Sequence, residues 1–108
     1  MEKKTYFFIR EIKEGGAYHI KINFSDLLYV QAKGDYVEIQ TTKTKYLTHS
    51  TLKALMERLG DNLYRCHRSY SVSINNIEIV NDYDVFVGKY EIPIGEEFKK
   101  KLLEILYA

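Results

Sequence analysis

Cysteine is nearly absent from this chain of 108 residues, and tryptophan is missing altogether. The single cysteine, Cys66, has no partner for an internal disulfide, which favours a reducing intracellular compartment. The sequence has no charged-then-apolar leader and no apolar run of about 18 residues or more, so we expect neither a signal peptide nor a membrane span. These absences predict a cytoplasmic protein without a membrane partner.

An excess of one charge sign is also missing. Lys and Arg number 16, Asp and Glu number 15, and the formal net charge is +1. Total charge therefore predicts neither a nucleic-acid nor a membrane partner, and any electrostatic function must come from local patches. There is no glycine-rich phosphate loop and no alternation of strand and helix patterns, which argues against a nucleotide enzyme and a doubly wound sheet.

Aromatic residues, in contrast, are plentiful, with ten Tyr and five Phe. The length suits one compact domain, and no linker or repeat divides residues 1–108. Short alternating segments are separated by turn residues such as Gly15-Gly16 and Lys33-Gly34-Asp35, a pattern typical of antiparallel strands. The predicted fold class is mainly β, with many short antiparallel strands and two short helices.

Apolar periodicity predicts the two helices. The first covers HSTLKALMERLG, with a cap at Ser50 or Thr51 and a left-handed end at Gly60. Its apolar face consists of Leu52, Leu55, Met56 and Leu59. The second covers EEFKKKLLEIL, and its apolar side consists of Phe98, Leu102, Ile105 and Leu106.

A small positive cluster lies in a segment that is otherwise typical of buried strand, LYRCHRSYSVSINNIEIV at residues 63–80. We predict that YRCHRSYSVSI is extended. Side chains two apart on a strand share a face, so Arg65 and His67 should project together, joined by Arg68 if the strand ends there. Guanidinium groups bind phosphates and guanine edges through two parallel hydrogen bonds. On composition alone, however, an ordinary solvated strand end is the favoured explanation.

Metal and thiol chemistry have less support. The histidines and Cys66 show neither Cys-x-x-Cys spacing nor a helical His pair, the patterns typical of metal sites. Adjacent side chains on a strand point to opposite faces, so we expect Cys66 to point into the core and His67 outward. A thiol enzyme centred on Cys66 stays an open alternative, because positive neighbours lower the pKa of an exposed thiol.

The order of the segments resembles the LytTR family, a DNA-binding module found mainly at the C-terminus of bacterial response regulators. The resemblance covers about residues 21–106. It is carried by INFSDLLYVQAKGDYVEIQTT, KYLTHSTLKALMERLGDNLYRCHRSYSVSINNIEIV and YEIPIGEEFKKKLLEIL. It implies an elongated arrangement of antiparallel sheets with small helices packed against them. It also implies that loops, rather than a recognition helix, enter successive major grooves.

The resemblance places DNA contacts in three regions, of which the first is the turn between LLYVQA and YVEIQ. This turn offers Lys33, and Tyr36 lies near the position from which family members reach bases. Packing across the hairpin is an equally good explanation for Tyr36. Lys45, on the following strand, lies near a phosphate-contacting position.

The second region is RCHRS. Arg68 stands where family members approach bases, while Arg65 and Ser69 match positions that contact the DNA backbone. His67 either faces the groove or orders the loop, and we favour the ordering role.

The third region is the start of the last helix, where this chain departs from the family. Many members carry Arg or Lys at the position of Glu96 and a polar residue at that of Glu97. A carboxylate repels phosphate, although it can accept a hydrogen bond from cytosine. Lys99 keeps a phosphate-contacting position. A second departure, Ser73 in place of a frequent Asn, is interpreted as a local change in a turn.

The resemblance thus implies sequence-specific binding of double-stranded DNA, commonly as a dimer on paired direct repeats, with no catalysis and no cofactor. An upstream receiver or sensor domain would normally govern such a module, and none is present in these residues. The alternative function is that of a related module that has weak or no DNA binding and recognises another protein. Near-neutral charge and the acidic helix start favour that alternative.

Overall fold

The computed structural model describes residues 3–108. Within this range the chain forms ten strands and two α-helices, joined in part by short 3-10 helices at Phe24–Asp26, Gly60–Asn62 and Ile74–Asn76. The strands are β1 (Tyr6–Lys13), β2 (Gly16–Asn23), β3 (Leu27–Lys33), β4 (Tyr36–Thr41), β5 (Lys45–His49), β6 (Leu63–His67), β7 (Tyr70–Ser73), β8 (Ile77–Val80), β9 (Asp84–Val87) and β10 (Tyr90–Pro93). The helices are α1 (Leu52–Leu59) and α2 (Glu96–Leu106). The predicted fold class is confirmed.

A five-stranded sheet in the order β5-β4-β3-β7-β6 forms the centre of the domain. All of its pairings are antiparallel, so each connecting turn lies at one of its two ends. The β3–β4 turn contains Gly34, as the KGD pattern predicts, and this residue has a φ of 59°. Glycine adopts that left-handed conformation without the steric penalty of a Cβ atom.

One face of the sheet is covered by α1 and by the β1–β2 hairpin. The core on this side includes Leu52, Leu55 and Leu59 of α1, Phe7, Ile9 and Ile22 of the hairpin, and Val30, Val37 and Ile39 of the sheet. The Thr51 hydroxyl caps α1 by accepting a 3.0 Å hydrogen bond from the Ala54 N–H. Gly60, with a φ of 59°, follows its last residue. Thr51 is therefore the cap, and the predicted end of the helix is confirmed.

The opposite face is covered over only part of its width. The three-stranded sheet β10-β9-β8 and α2 cover the β3-β7-β6 part. The Tyr64 hydroxyl donates a 2.6 Å hydrogen bond to the Phe98 carbonyl, which fixes α2 against β6. The β4–β5 part is open, as the exposure of its side chains shows: Tyr36 and Leu47 are 44% and 42% exposed there.

The prediction for the apolar side of α2 is partly wrong. Leu102 is fully buried, but Ile105 and Leu106 are 47% and 39% exposed. The helix packs on β6, which is the edge strand of its sheet. No strand of that sheet lies beyond β6 to cover the last turn of the helix.

The segment YRCHRSYSVSI is not one extended strand, because it folds back at Arg68-Ser69 between β6 and β7. Arg65 lies opposite Ser71 and His67 lies opposite Tyr70, so one residue of β6 is extra. This β-bulge breaks the two-residue period. The prediction that Arg65 and His67 share a face is therefore wrong.

The same bulge affects Cys66. Cys66 is buried in the core beneath α2, and the His67 ring packs on Tyr70, which borders that core. The two adjacent residues thus lie on the same side of the sheet, and the prediction of opposite faces is also wrong. The predicted burial of Cys66 is confirmed, since none of its surface is exposed.

Candidate nucleic-acid interface

One end of the five-stranded sheet brings two of the predicted contact regions together. The β3–β4 turn is closed by the Lys33–Tyr36 pair, and the β6–β7 turn lies beside it because Gln31 of β3 pairs with Tyr70 of β7. The Ala32 N–H donates a 2.8 Å hydrogen bond to the Ser69 carbonyl and joins the two turns directly.

The third predicted region, the start of α2, lies at the same end of the sheet. The Gly95 N–H, just before the helix, donates a 2.9 Å hydrogen bond to the carbonyl of Cys66 at the end of β6. We call the surface formed by residues 33–36, 67–69 and 95–97 the rim. Three segments that are far apart in the sequence are therefore neighbours in space.

Arg65 and His67 hold the β6–β7 turn from within. The Arg65 guanidinium donates through Nε to the His67 carbonyl at 3.3 Å and through Nη2 to the Arg68 carbonyl. The Nδ1 atom of His67 accepts a 3.1 Å hydrogen bond from the Ser69 N–H. This geometry corresponds to the loop-ordering role of His67, and it gives Arg65 a structural role within the turn.

Arg68 is the exposed residue of this turn. Within residues 3–108 its guanidinium makes no hydrogen bond and no ion pair with another side chain. The backbone below it is fixed by the contacts of Arg65, His67 and Ser69. The unpaired guanidinium of Arg68 thus projects from an ordered turn. Because the turn is already ordered, less entropy is lost when the guanidinium contacts a ligand.

Tyr36 is 44% exposed at the rim, and its ring packs edge-to-face on His49 with 5.4 Å between the centroids. The two residues are cross-strand partners. His49 orients the Tyr36 ring while the rest of the tyrosine surface stays accessible. In the sequence, His49 is one of three histidines, none of which has metal-site spacing. The position of His49 beside the rim follows from the β4–β5 register, which local sequence patterns do not specify.

Lys33 and Lys45 share one carboxylate. Lys33 Nζ lies 3.8 Å from one oxygen of Glu38, and Lys45 Nζ lies 3.5 Å from the other. Lys33 belongs to the rim. Lys45 pairs with Gln40, four residues along β4 from Tyr36, and so lies about 13 Å down the open face of the sheet.

At the start of α2, Glu96 and Glu97 are both exposed. The Nζ atom of Lys99 lies 3.7 Å from the Asp82 carboxylate and 3.3 Å from the Asp82 carbonyl oxygen. The Asp82 side chain is 87% exposed, so a strong anion can compete for this lysine. The acidic pair remains the departure from the family pattern noted in the sequence.

Cys66 has none of the properties of a reactive thiol. Burial raises the pKa of its thiol to about 12. A thiol reacts as the thiolate, which is almost absent at neutral pH for such a group. The alternative of a thiol enzyme therefore loses its physical basis.

Burial also raises the pKa of the Tyr29 hydroxyl, and the nearby Glu38 carboxylate raises it further.

Within residues 3–108, no group of three or more His, Cys, Asp or Glu side chains is arranged to hold a metal ion. No helix in this part of the chain is long and apolar enough to cross a membrane.

Comparison with known proteins gives the same family as the sequence motifs. A model of the LytTr DNA-binding domain matches residues 18–107. The chain belongs to the LytTR family. The matched range agrees with the resemblance seen over about residues 21–106, which is thereby confirmed. This is a family of DNA-binding domains, and catalysis does not define it.

Two curated proteins are similar to the chain. Each is a sensory transduction protein LytT, one from Bacillus anthracis and one from Bacillus cereus, and each is 27% identical over 94 residues. The alignments cover 81% of this chain but 38% of each relative. The chain therefore spans less than two-fifths of the length of these relatives.

A solved structure supports the LytTR fold. It is described as the LytTr DNA-binding domain of a methyl-accepting/DNA response regulator from Bacillus cereus. It superposes with a TM-score of 0.72 and 21% identity, covering 96% of this chain and 98% of that one. At this level of identity, the agreement concerns the fold.

Proposed function

We propose that this LytTR domain is the sequence-specific DNA-binding output domain of a bacterial transcriptional response regulator. The observation that carries the proposal is the rim, where Lys33, Tyr36, Arg68 and the start of α2 are neighbours. Loops from three parts of the chain can approach one duplex from that surface, because the sheet behind them acts as a single support.

Arg68 and Tyr36 are the proposed base contacts. Arg68 is an unpaired, exposed guanidinium, and a guanidinium can donate two hydrogen bonds to O6 and N7 of guanine. Tyr36 is 44% exposed at the same end of the sheet. The strands β4, β3, β7 and β6 together span about 14 Å at the spacing between neighbouring strands. The distance between Tyr36 and Arg68 is therefore similar to the width of a major groove, about 12 Å.

The proposed phosphate contacts surround Tyr36 and Arg68. Lys33, Arg65 and Ser69 belong to or adjoin the two turns, and Lys45 and Lys99 extend the surface on either side. Such contacts set the position of the protein on the duplex, whereas contacts to base edges set the sequence preference. Glu96 is the exception, because a carboxylate repels phosphate. We propose that it either accepts a hydrogen bond from cytosine or weakens the DNA contact at the start of α2.

We propose that loops of the domain enter successive major grooves of the duplex. The principal extents of the domain are 44 × 35 × 24 Å, and one turn of B-DNA is about 34 Å long.

We propose that two copies bind paired direct repeats, each using its own rim. We also propose that a receiver or sensor domain governs the output, as the greater length of the LytT relatives suggests.

A second function, recognition of a protein instead of DNA, has one specific observation in its favour. The third contact region presents Glu96 and Glu97, both exposed, where a duplex would present phosphates. If this repulsion dominates, the rim would be suited to a basic protein surface rather than to DNA.

Selection from random duplex DNA, followed by salt titration of the selected site, tests both functions. DNA binding predicts enriched sites with two spaced copies of one motif. With about four to six phosphate contacts, the logarithm of the binding constant should fall with the logarithm of salt with a slope of roughly −4 to −5. No enrichment and no salt-dependent binding would favour the protein-interaction module.

A further inference from the structure

Glu38 occupies a position that the proposed function does not use. It lies on β4 between Gln31 of β3 and Leu47 of β5, on the open face of the sheet. Its side chain is 15% exposed, whereas those of Lys33 and Lys45 are 50% and 54% exposed. A largely buried carboxylate therefore lies between two exposed cations that belong to the proposed DNA footprint.

The distances define the character of these ion pairs. Each lysine approaches a different oxygen of Glu38, at 3.8 and 3.5 Å, and both distances are longer than a charge-assisted hydrogen bond of about 2.7–2.9 Å. Exposed ion pairs of this kind are weak. The long lysine side chains can leave Glu38 for a phosphate, while the carboxylate itself stays in place.

We propose that Glu38 is a specificity-determining residue that competes with DNA phosphates for Lys33 and Lys45. It holds the two lysines on the protein in loose, non-specific complexes. They transfer to phosphates when the base contacts of the rim fix the register of the duplex. Glu38 thus lowers affinity for random sequence more than affinity for the selected site. This inference rests on the proposed function.

The test compares Glu38→Gln with the wild type by fluorescence anisotropy, using the selected duplex and a scrambled duplex over a series of salt concentrations. Glu38→Gln should bind the scrambled duplex about 3-fold to 10-fold more tightly, the range expected for the loss of two exposed ion pairs. Its salt slope on that duplex should be steeper by about one unit, and the ratio of selected to scrambled affinity should fall.

Two controls isolate the mechanism. Glu57→Gln makes the same charge change at an exposed position on α1 and should have a much smaller effect. In a Lys33→Ala/Lys45→Ala background, Glu38→Gln should no longer tighten binding, because the cations that it frees are absent. If Gln at position 38 destabilises the fold, Glu38→Thr, which suits a strand, should give the same result.

Three outcomes would overturn the inference and leave the proposed function intact. An effect of Glu38→Gln no larger than that of Glu57→Gln would show that the lysine contacts do not matter for binding. Persistence of its effect without the two lysines would show simple long-range charge repulsion. Weaker binding of the selected duplex alone would show that Glu38 contacts a base. A wild-type domain that binds neither duplex would instead refute the proposed function and, with it, this inference.

Discussion

The backbone N–H of Ala32 and the carbonyl of Ser69 form a 2.8 Å hydrogen bond between two turns that are separated by more than thirty residues in the sequence. This bond joins the β3–β4 turn, which carries Lys33 and Tyr36, to the β6–β7 turn, which carries Arg68. The two turns are therefore held against each other at this point. Base contacts from the two turns should act as one unit.

Replacement of Arg68 by Ala should weaken binding to the selected duplex by roughly 1–3 kcal/mol and relax the preference at one base position, because a two-pronged guanine contact is lost. Anisotropy titrations against single-base variants of the site measure this effect. Lys53→Ala, which removes an exposed cation from α1, is the control. An equal loss on every sequence would make Arg68 a phosphate contact.

Replacement of Arg65 by Lys keeps the charge but removes the fork that contacts both carbonyls of the turn. We expect faster hydrogen exchange at the Ser69 and Ala32 amides. Affinity for the selected duplex should fall by about 0.5–1.5 kcal/mol, the net value of a typical hydrogen bond. If affinity falls while exchange at these amides is unchanged, Arg65 acts on phosphate and not through the turn.

The double replacement Glu96→Arg/Glu97→Ser should tighten binding to duplex DNA and alter the sequence preference, since it removes two carboxylates next to the rim and restores a cation frequent in the family. The same random-duplex selection, repeated on this variant, measures both effects. Unchanged affinity together with an unchanged preferred site would remove the start of α2 from the interface.

Cys66 predicts a pH dependence of stability with a defined sign. Burial raises the thiol pKa of the folded protein from 9.0 to about 12, so the thiol of the unfolded chain loses its proton first as the pH rises. Stability is complete below pH 9 and decreases between about pH 9 and 12, by roughly 1.4 kcal/mol per pH unit in the steep part.

The measurement for Cys66 is the free energy of unfolding of the wild type minus that of Cys66→Ala, as a function of pH. Tyrosines that titrate in the same range are present in both proteins and largely cancel. A flat difference above pH 9, or rapid labelling of the folded wild type by iodoacetamide at neutral pH, would contradict the buried thiol.

Local patterns predicted the elements whose boundaries depend on neighbours in the sequence. The cap at Thr51, the buried Leu52, Leu55 and Leu59, and the left-handed Gly60 all follow from short-range rules. The family motifs further indicated which turns would carry the site. The structure places these turns at one end of the sheet.

The parts that were missed depend on cross-strand register. The bulge at Cys66 is fixed by the pairing of β6 with β7, and Arg68-Ser69 carries only the weak turn signal of a serine, without Gly, Pro, Asn or Asp. The lysine pairing to Glu38 and the contact of His49 with Tyr36 likewise arise from β3, β4 and β5 lying side by side. Alternation along one strand does not specify its partner.

The most direct test of the rim is amide chemical-shift mapping by NMR of the labelled domain with the selected duplex. We expect perturbations to concentrate at residues 33–36, 67–69 and 95–97, with smaller ones near Lys45 and Lys99, and we expect the opposite end, at 60–62 and 74–76, to stay unchanged. Perturbations at that opposite end, or at only one of the three rim segments, would contradict it.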